Sequence, residues 1–279
     1  MNHLSKAHPI SPARTSDLLK DSQSFVYHKT AHGELKVHLF FPDNHQSSDQ
    51  RASALFFHGG QWDKPMITQF VPQCLHLSMQ GMIAGVVEYR LEDTHQTSPL
   101  EAIEDARAAM IWLRRNAAVL GADPEKVVAV GAGSGAHLAL DLAMLPPPSG
   151  EGVPSTEPQA MILFSAIVDT THSGVCYKKF PKGRFAYKTS PSEWIRRKLP
   201  PSLFFHGKLD VVAPITHVKK FTQLMKSKRN ICDLIEFENA THSFFNFNVN
   251  QQHFEQCLNC MDLFLVQLGF ISEQVTHEP

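Results

Sequence analysis

The stretch that most constrains this chain is Val127-Val128-Ala129-Val130-Gly131-Ala132-Gly133-Ser134-Gly135-Ala136-His137-Leu138-Ala139. It begins as a β-branched strand, passes through a turn of tiny residues and enters an apolar helical pattern. β-Branched side chains suit a pleated sheet, and glycines permit a reversal that larger residues resist. A strand that hands straight over to a helix is one half of a βαβ unit, which points to a sheet covered by helices.

The rest of the chain repeats that alternation. Ser24 to Lys29 and Glu34 to Phe41 alternate apolar and polar residues around Ala31-His32-Gly33, which predicts a β-hairpin. Short apolar runs at Ala54 to Phe57 and Met82 to Tyr89 predict strands buried on both faces, and Ala160 to Val168, Ser202 to His206 and Ile231 to Phe237 predict further strands. Helical spacing separates them. It runs through Ile67, Phe70, Val71, Cys74 and Leu77, then through Ile103, Ala106, Met110, Leu113 and Ala117. Ser98-Pro99-Leu100-Glu101 opens the second of these with a capping box, and Gly121 ends it. Two more helices follow, over Pro214 to Lys228 and from about Phe254 to Gly269. The expectation is a single α/β domain over 23–271, built on a doubly wound, mostly parallel sheet with an antiparallel N-terminal hairpin. Residues 1–22 read as a flexible N-terminal tail and 272–279 as a C-terminal one.

Composition narrows the partners. The net charge is -1, so no global field recommends nucleic acid or a membrane surface. There is no apolar run long enough to span a bilayer and no signal peptide, which predicts a cytoplasmic protein, or a periplasmic or secreted one if a signal has been removed. Five cysteines show no framework spacing, and Cys257-Leu-Asn-Cys260 has no second pair. The sixteen histidines form no zinc motif, so neither metal nor cofactor is expected. Nothing in the sequence bears on oligomeric state.

Ligands of open α/β sheets bind at the carboxyl ends of the strands. Four such ends carry distinctive residues here: His58-Gly59-Gly60, Gly133-Ser134, Asp210 and His242. Their order is glycine turn, elbow, acid, histidine. Further landmarks are Glu88-Tyr89-Arg90-Leu91, Asp105-Ala106, Asp123-Pro124, His206-Gly207-x-x-Asp210 and His242-x-Phe244. In this order and spacing, from about Phe25 to Phe270, the chain resembles the α/β-hydrolase superfamily, in particular the bacterial carboxylesterase and lipase-like group related to feruloyl and acetyl-xylan esterases. The resemblance implies an α/β-hydrolase fold with a short insertion after the sixth strand region, and hydrolysis of small acyl esters, including esters on carbohydrate. It implies Gly59, Gly60 and Ser134 as backbone donors to an oxyanion, Asp210 as the acid that orients the base, and His242 as the general base. Gln61 stands where relatives usually have a third glycine. Each role has a plainer rival: Asp210 can cap the helix near Pro214, and His242 can be a loop residue.

The elbow departs from the pattern G-x-S-x-G. With Gly131 and Gly135 as the flanking glycines, the nucleophile position is Gly133, which has no side chain with which to attack an acyl carbon. In a rival register Ser134 is the nucleophile, flanked by Ala132 and Ala136. One step along a helix turns a side chain by about 100°, so the two registers place the hydroxyl differently. Three classes of function remain: an esterase working through Ser134, an inactivated hydrolase that still binds its ligand, and a hydrolase-fold enzyme of other chemistry, for which no residue speaks. The stretch Tyr177 to Lys188 interleaves five cations with aromatics, and reads as a solvated loop or as a rim over the site. Gln61, Trp62 and Tyr177 are the candidate pocket residues, although Trp62 and Trp194 serve equally well as core.

Overall fold

A computed structural model describes residues 12–272. A short helix, α1 (Pro12–Leu18), lies within the expected N-terminal tail; 1–11 and 273–279 fall outside the described residues. The hairpin follows as β1 (Gln23–Thr30) and β2 (Gly33–Phe40). Then come β3 (Arg51–Phe57), α2 (Val71–Met79), β4 (Ile83–Val87), the single turn α3 (Glu92–His95), α4 (Pro99–Leu120), β5 (Ala122–Ala132) and α5 (Ser134–Met144). The chain continues with β6 (Ala160–Phe164), α6 (Gly183–Lys188), β7 (Ser202–Gly207), α7 (Ile215–Ser227), β8 (Cys232–Phe237) and α8 (Gln251–Gln267).

All eight strands form one sheet in the order β1-β2-β4-β3-β5-β6-β7-β8. The hairpin joins it antiparallel through β2 and β4, and every later pairing is parallel. Alternate residues of each central strand serve two cores. Leu55, Phe57 and Ala129 face α4, α5 and α7, while Ala54, Phe56, Val128 and Val130 face α2 and α8. This is why those strands read as unbroken apolar runs.

Several boundaries differ from the sequence reading for identifiable reasons. β6 ends at Phe164 because Ser165 takes a positive φ of 45° and turns the chain off the sheet. α2 begins at Val71, so Ile67 and Phe70 belong to the preceding turn although they share its apolar phase. The Tyr177–Lys188 stretch is structured: one turn of 3-10 helix (Tyr177–Lys179) and α6. The capping box forms as expected, with the Leu100 N–H donating to Ser98 Oγ and the Ser98 N–H to Glu101 Oε2.

β4 is tied to α4 by a buried ion pair. Asp105, fully buried, accepts the Arg90 backbone N–H at 2.9 Å, Arg90 Nε at 2.9 Å and Nη2 at 2.9 Å, and His28 Nδ1 at 3.0 Å. A buried carboxylate with this many donors is stable only while they remain, and removing one partner strands the others. Asp105→Ala is therefore expected to lower unfolding free energy by about 3–5 kcal/mol, measured by urea titration.

Candidate active site

Gly131, Gly133 and Gly135 are glycines for different reasons. A β-carbon on Gly131 would sit 2.2 Å from the Gly135 carbonyl oxygen, and one on Gly135 would sit 1.9 Å from that of Phe57. Those two residues let α5 enter against β5 and β3 with backbone touching backbone. Gly133 is the junction, at φ 52° and ψ -112°. Its N–H donates to the Phe164 carbonyl at 3.0 Å, and its carbonyl accepts from His137 at 3.2 Å and Ile167 at 3.3 Å. Apart from its chain neighbours, a β-carbon there would meet a single described residue within 4 Å: His242, with Nε2 at 3.2 Å and Cε1 at 3.6 Å. Residue 133 thus faces the histidine.

His242 is held from two sides. Its Nδ1 lies 2.8 Å from Asp210 Oδ2 and its carbonyl accepts the Ser165 hydroxyl at 2.7 Å. Asp210 is saturated with donors. Oδ1 accepts the N–H groups of Val212 and Ala213, both at 2.9 Å, while Oδ2 takes His242 and, at 3.2 Å, His206 Nε2. Capping the turn before α7 and orienting His242 are therefore jobs for different oxygens of one carboxylate. Burial alone would raise the Asp210 pKa, but hydrogen bonds from His206 and His242 outweigh it and hold the carboxyl well below the usual range. An ionised Asp210 must receive a proton donor from each ring, so His242 carries its hydrogen on Nδ1 and leaves the Nε2 lone pair facing residue 133.

The glycine turn needs a revision. The Gly59 N–H donates to Gln69 Oε1 at 2.7 Å, so one of the two expected donors on this turn already has a protein acceptor. Among the described residues, no protein acceptor takes the N–H of Gly60 or of Ser134. Gly60 has φ 111°, and a β-carbon there would lie 2.6 Å from the Lys64 carbonyl, so this turn needs glycine. The turn is braced from below: the Tyr89 hydroxyl donates to the His58 carbonyl at 2.7 Å, and the His58 ring stacks on Tyr89 at 4.4 Å and donates through Nδ1 to the Gly59 carbonyl at 2.6 Å. Burial pushes the His58 pKa down to about 4, so this ring is a neutral strut.

Ser134 is fully buried, its hydroxyl lying beside the Tyr89 phenol with no hydrogen bond to His242. Gln61 is exposed on the turn with φ 56°. Trp62, 1% exposed, is core: it meets His137 edge-on at 5.1 Å and Phe180 at 6.0 Å. Tyr177 is half-buried between His172 and Tyr187. The basic stretch is pinned to the glycine turn, because Lys179 pairs with Asp63 and, at 3.0 Å, with Glu92. A cavity of about 670 Å³ opens beside this clamp, between Ser98 and Phe180, and neither Gly133, Asp210 nor His242 lines it.

This fold recurs in solved proteins. An esterase from Thermogutta terrifontis, solved with propionate, matches with a TM-score of 0.86 and 32% identity, over 92% of this chain and 97% of that one. The chain belongs to the α/β-hydrolase superfamily. Within this superfamily it stands in the carboxylesterase-like group: the BD-FAE family pattern matches residues 37–173. Esterase LipC of Mycobacterium tuberculosis is 23% identical over 68% of this chain, and the isoprenylcysteine alpha-carbonyl methylesterase ICME of Arabidopsis thaliana is 22% identical over 75%. The chain spans about half the length of these two curated relatives, 52% and 53%. No helix among the described residues is long and apolar enough to cross a membrane.

Sequence reasoning did not assign Ser165, His206 or Gln69. His206 was visible as part of His206-Gly207-x-x-Asp210, four residues before the acid. Ser165 and Gln69 carry no local signal, since both act on residues distant in sequence. Asp210→Ala is expected to cost about 2–4 kcal/mol at pH 7, by stranding four donors. Asp210 titrates lower in the folded chain than the roughly 3.9 of an unfolded aspartate, so its contribution is present above that value and fades as pH falls further. The gap between wild type and variant in urea midpoint should therefore narrow below about pH 4.

Proposed function

We propose that this hydrolase receives small carboxylic esters at a carboxylesterase-type site whose nucleophile position is Gly133, so that no serine acyl-enzyme can form. The single observation behind this reading is that a β-carbon on Gly133 would stand 3.2 Å from His242 Nε2, with no other described residue beyond its chain neighbours within 4 Å. Only there would a side-chain oxygen meet the base. The rival register, with Ser134 as nucleophile, is disfavoured by the burial of that hydroxyl beside Tyr89, away from His242. Ser134 contributes through its backbone N–H instead, together with Gly60, as donors to an oxyanion. Asp210 fixes the tautomer of His242, and His242 is the base.

Short acyl groups are the favoured substrates. Structural relatives from Thermogutta terrifontis have been solved with propionate and with butyrate, at 32% and 31% identity. The alcohol portion would meet Gln61 and the rim near Tyr177, where esters on carbohydrate are one class to test.

The decisive variant is Gly133→Ser. It is expected to raise hydrolysis of p-nitrophenyl acetate by about 100-fold or more, since a triad lacking one member retains only a small part of its catalysis. It should also take up one equivalent of a fluorophosphonate at residue 133. No gain in rate and no label would sink this reading. Loss of native activity in Ser134→Ala would transfer the nucleophile to Ser134.

A further inference from the structure

We infer that His242 acts on water itself, hydrolysing esters of acidic alcohols in one displacement with no covalent intermediate; this rests on the reading of Gly133 as the nucleophile position. Removing the hydroxymethyl group of a serine leaves room at this point, and the geometry says what borders that room. The ideal β-carbon position has His242 Nε2 at 3.2 Å and Cε1 at 3.6 Å, and beyond its chain neighbours Ala132 and Ser134 no other described residue comes within 4 Å. A water oxygen within hydrogen-bonding distance of Nε2 falls in the same region. The His242 side chain is 26% exposed, so solvent reaches it.

The proton inventory fits. Asp210 accepts Nδ1–H at 2.8 Å, which leaves the Nε2 lone pair free to take a proton. The water oxygen bonds to the acyl carbon while one of its protons passes to Nε2. The carbonyl π electrons move onto oxygen, which the N–H groups of Gly60 and Ser134 would receive. Collapse of the tetrahedral species restores the carbonyl and breaks the bond to the alkoxy oxygen, which takes the proton back from Nε2. Ester and water are consumed, acid and alcohol are released, and His242 ends neutral as it began.

The same balance selects the substrate class. Water is a poorer nucleophile than a positioned serine oxygen, and the alcohol must leave in the single cycle. Esters of phenols and enols, whose alcohols leave readily, suit the site, and simple alkyl esters do not.

The test uses the full chain with p-nitrophenyl acetate and phenyl acetate against ethyl acetate. Wild type is expected to hydrolyse the two aryl esters above the buffer rate, with linear product release from the first turnover and no fluorophosphonate label. His242→Asn is expected to lose at least ten-fold of that rate. Gly133→Ala, which puts a methyl group where the water would stand, is expected to lose a similar factor. Because alanine at a positive φ strains the turn, His242→Asn, which leaves the backbone alone, carries the test if Gly133→Ala misfolds. The inference is overturned if wild type is no faster than His242→Asn, if folded Gly133→Ala matches wild type, if ethyl acetate is cleaved as fast as the aryl esters, or if wild type is labelled at Ser134. Should Gly133→Ser gain rate and label while wild type stays at background, the water mechanism falls and the carboxylesterase-type site stands. Should Gly133→Ser gain neither, the reading of residue 133 falls with it.

Discussion

The close approach of one helix to two strand ends organises this molecule. Gly131 and Gly135 allow backbone atoms to come together where any β-carbon would overlap them, 2.2 Å from one carbonyl oxygen and 1.9 Å from another. That contact sets the angle at which α5 leaves β5 and forces the residue between them into a positive φ. The N-terminal end of α5 is thereby aimed at the carboxyl edge of the sheet, with the Ser134 N–H at its tip. An oxyanion is stabilised by fixed dipoles in proportion to how little they must move, and close-packed backbone is the least mobile support a protein offers.

Around this junction, polar groups are braced by others that do no chemistry of their own. Asp210 divides its two oxygens between a turn and two imidazoles, so its own loop and the loop carrying His242 are held by one carboxylate. Ser165 holds the backbone of His242, and Tyr89 with the neutral His58 holds the glycine turn. On the far side, Lys179 ties the basic stretch to Asp63 and Glu92, while its other cations lie exposed.

Much of this is legible in the sequence alone. The hairpin, the alternation of strands and helices, the capping box at Ser98 and the order of glycine turn, elbow, acid and histidine all stand in local patterns of residues. Element ends were less so. β6 stops at Phe164 because Ser165 adopts a left-handed backbone conformation to reach the His242 carbonyl, and nothing in the apolar run Ala160 to Val168 announces that. The engagement of Gly59 by Gln69 was equally silent, since a glutamine ten residues along has no preferred partner until the turn closes. Trp62 read as core or pocket with equal ease, and packing against His137 and Phe180 placed it in the core.

The sequence by itself determined the class of fold and the absence of a side chain at residue 133, because periodicity and residue identity are local properties. It left two registers for the elbow, since both Gly133 and Ser134 sit between small residues. Only the tertiary structure decided which of them faces His242. That direction depends on the φ and ψ of the junction and on a loop more than one hundred residues away, at His242. A one-residue difference in sequence is there a difference between a position facing His242 and a hydroxyl buried beside Tyr89.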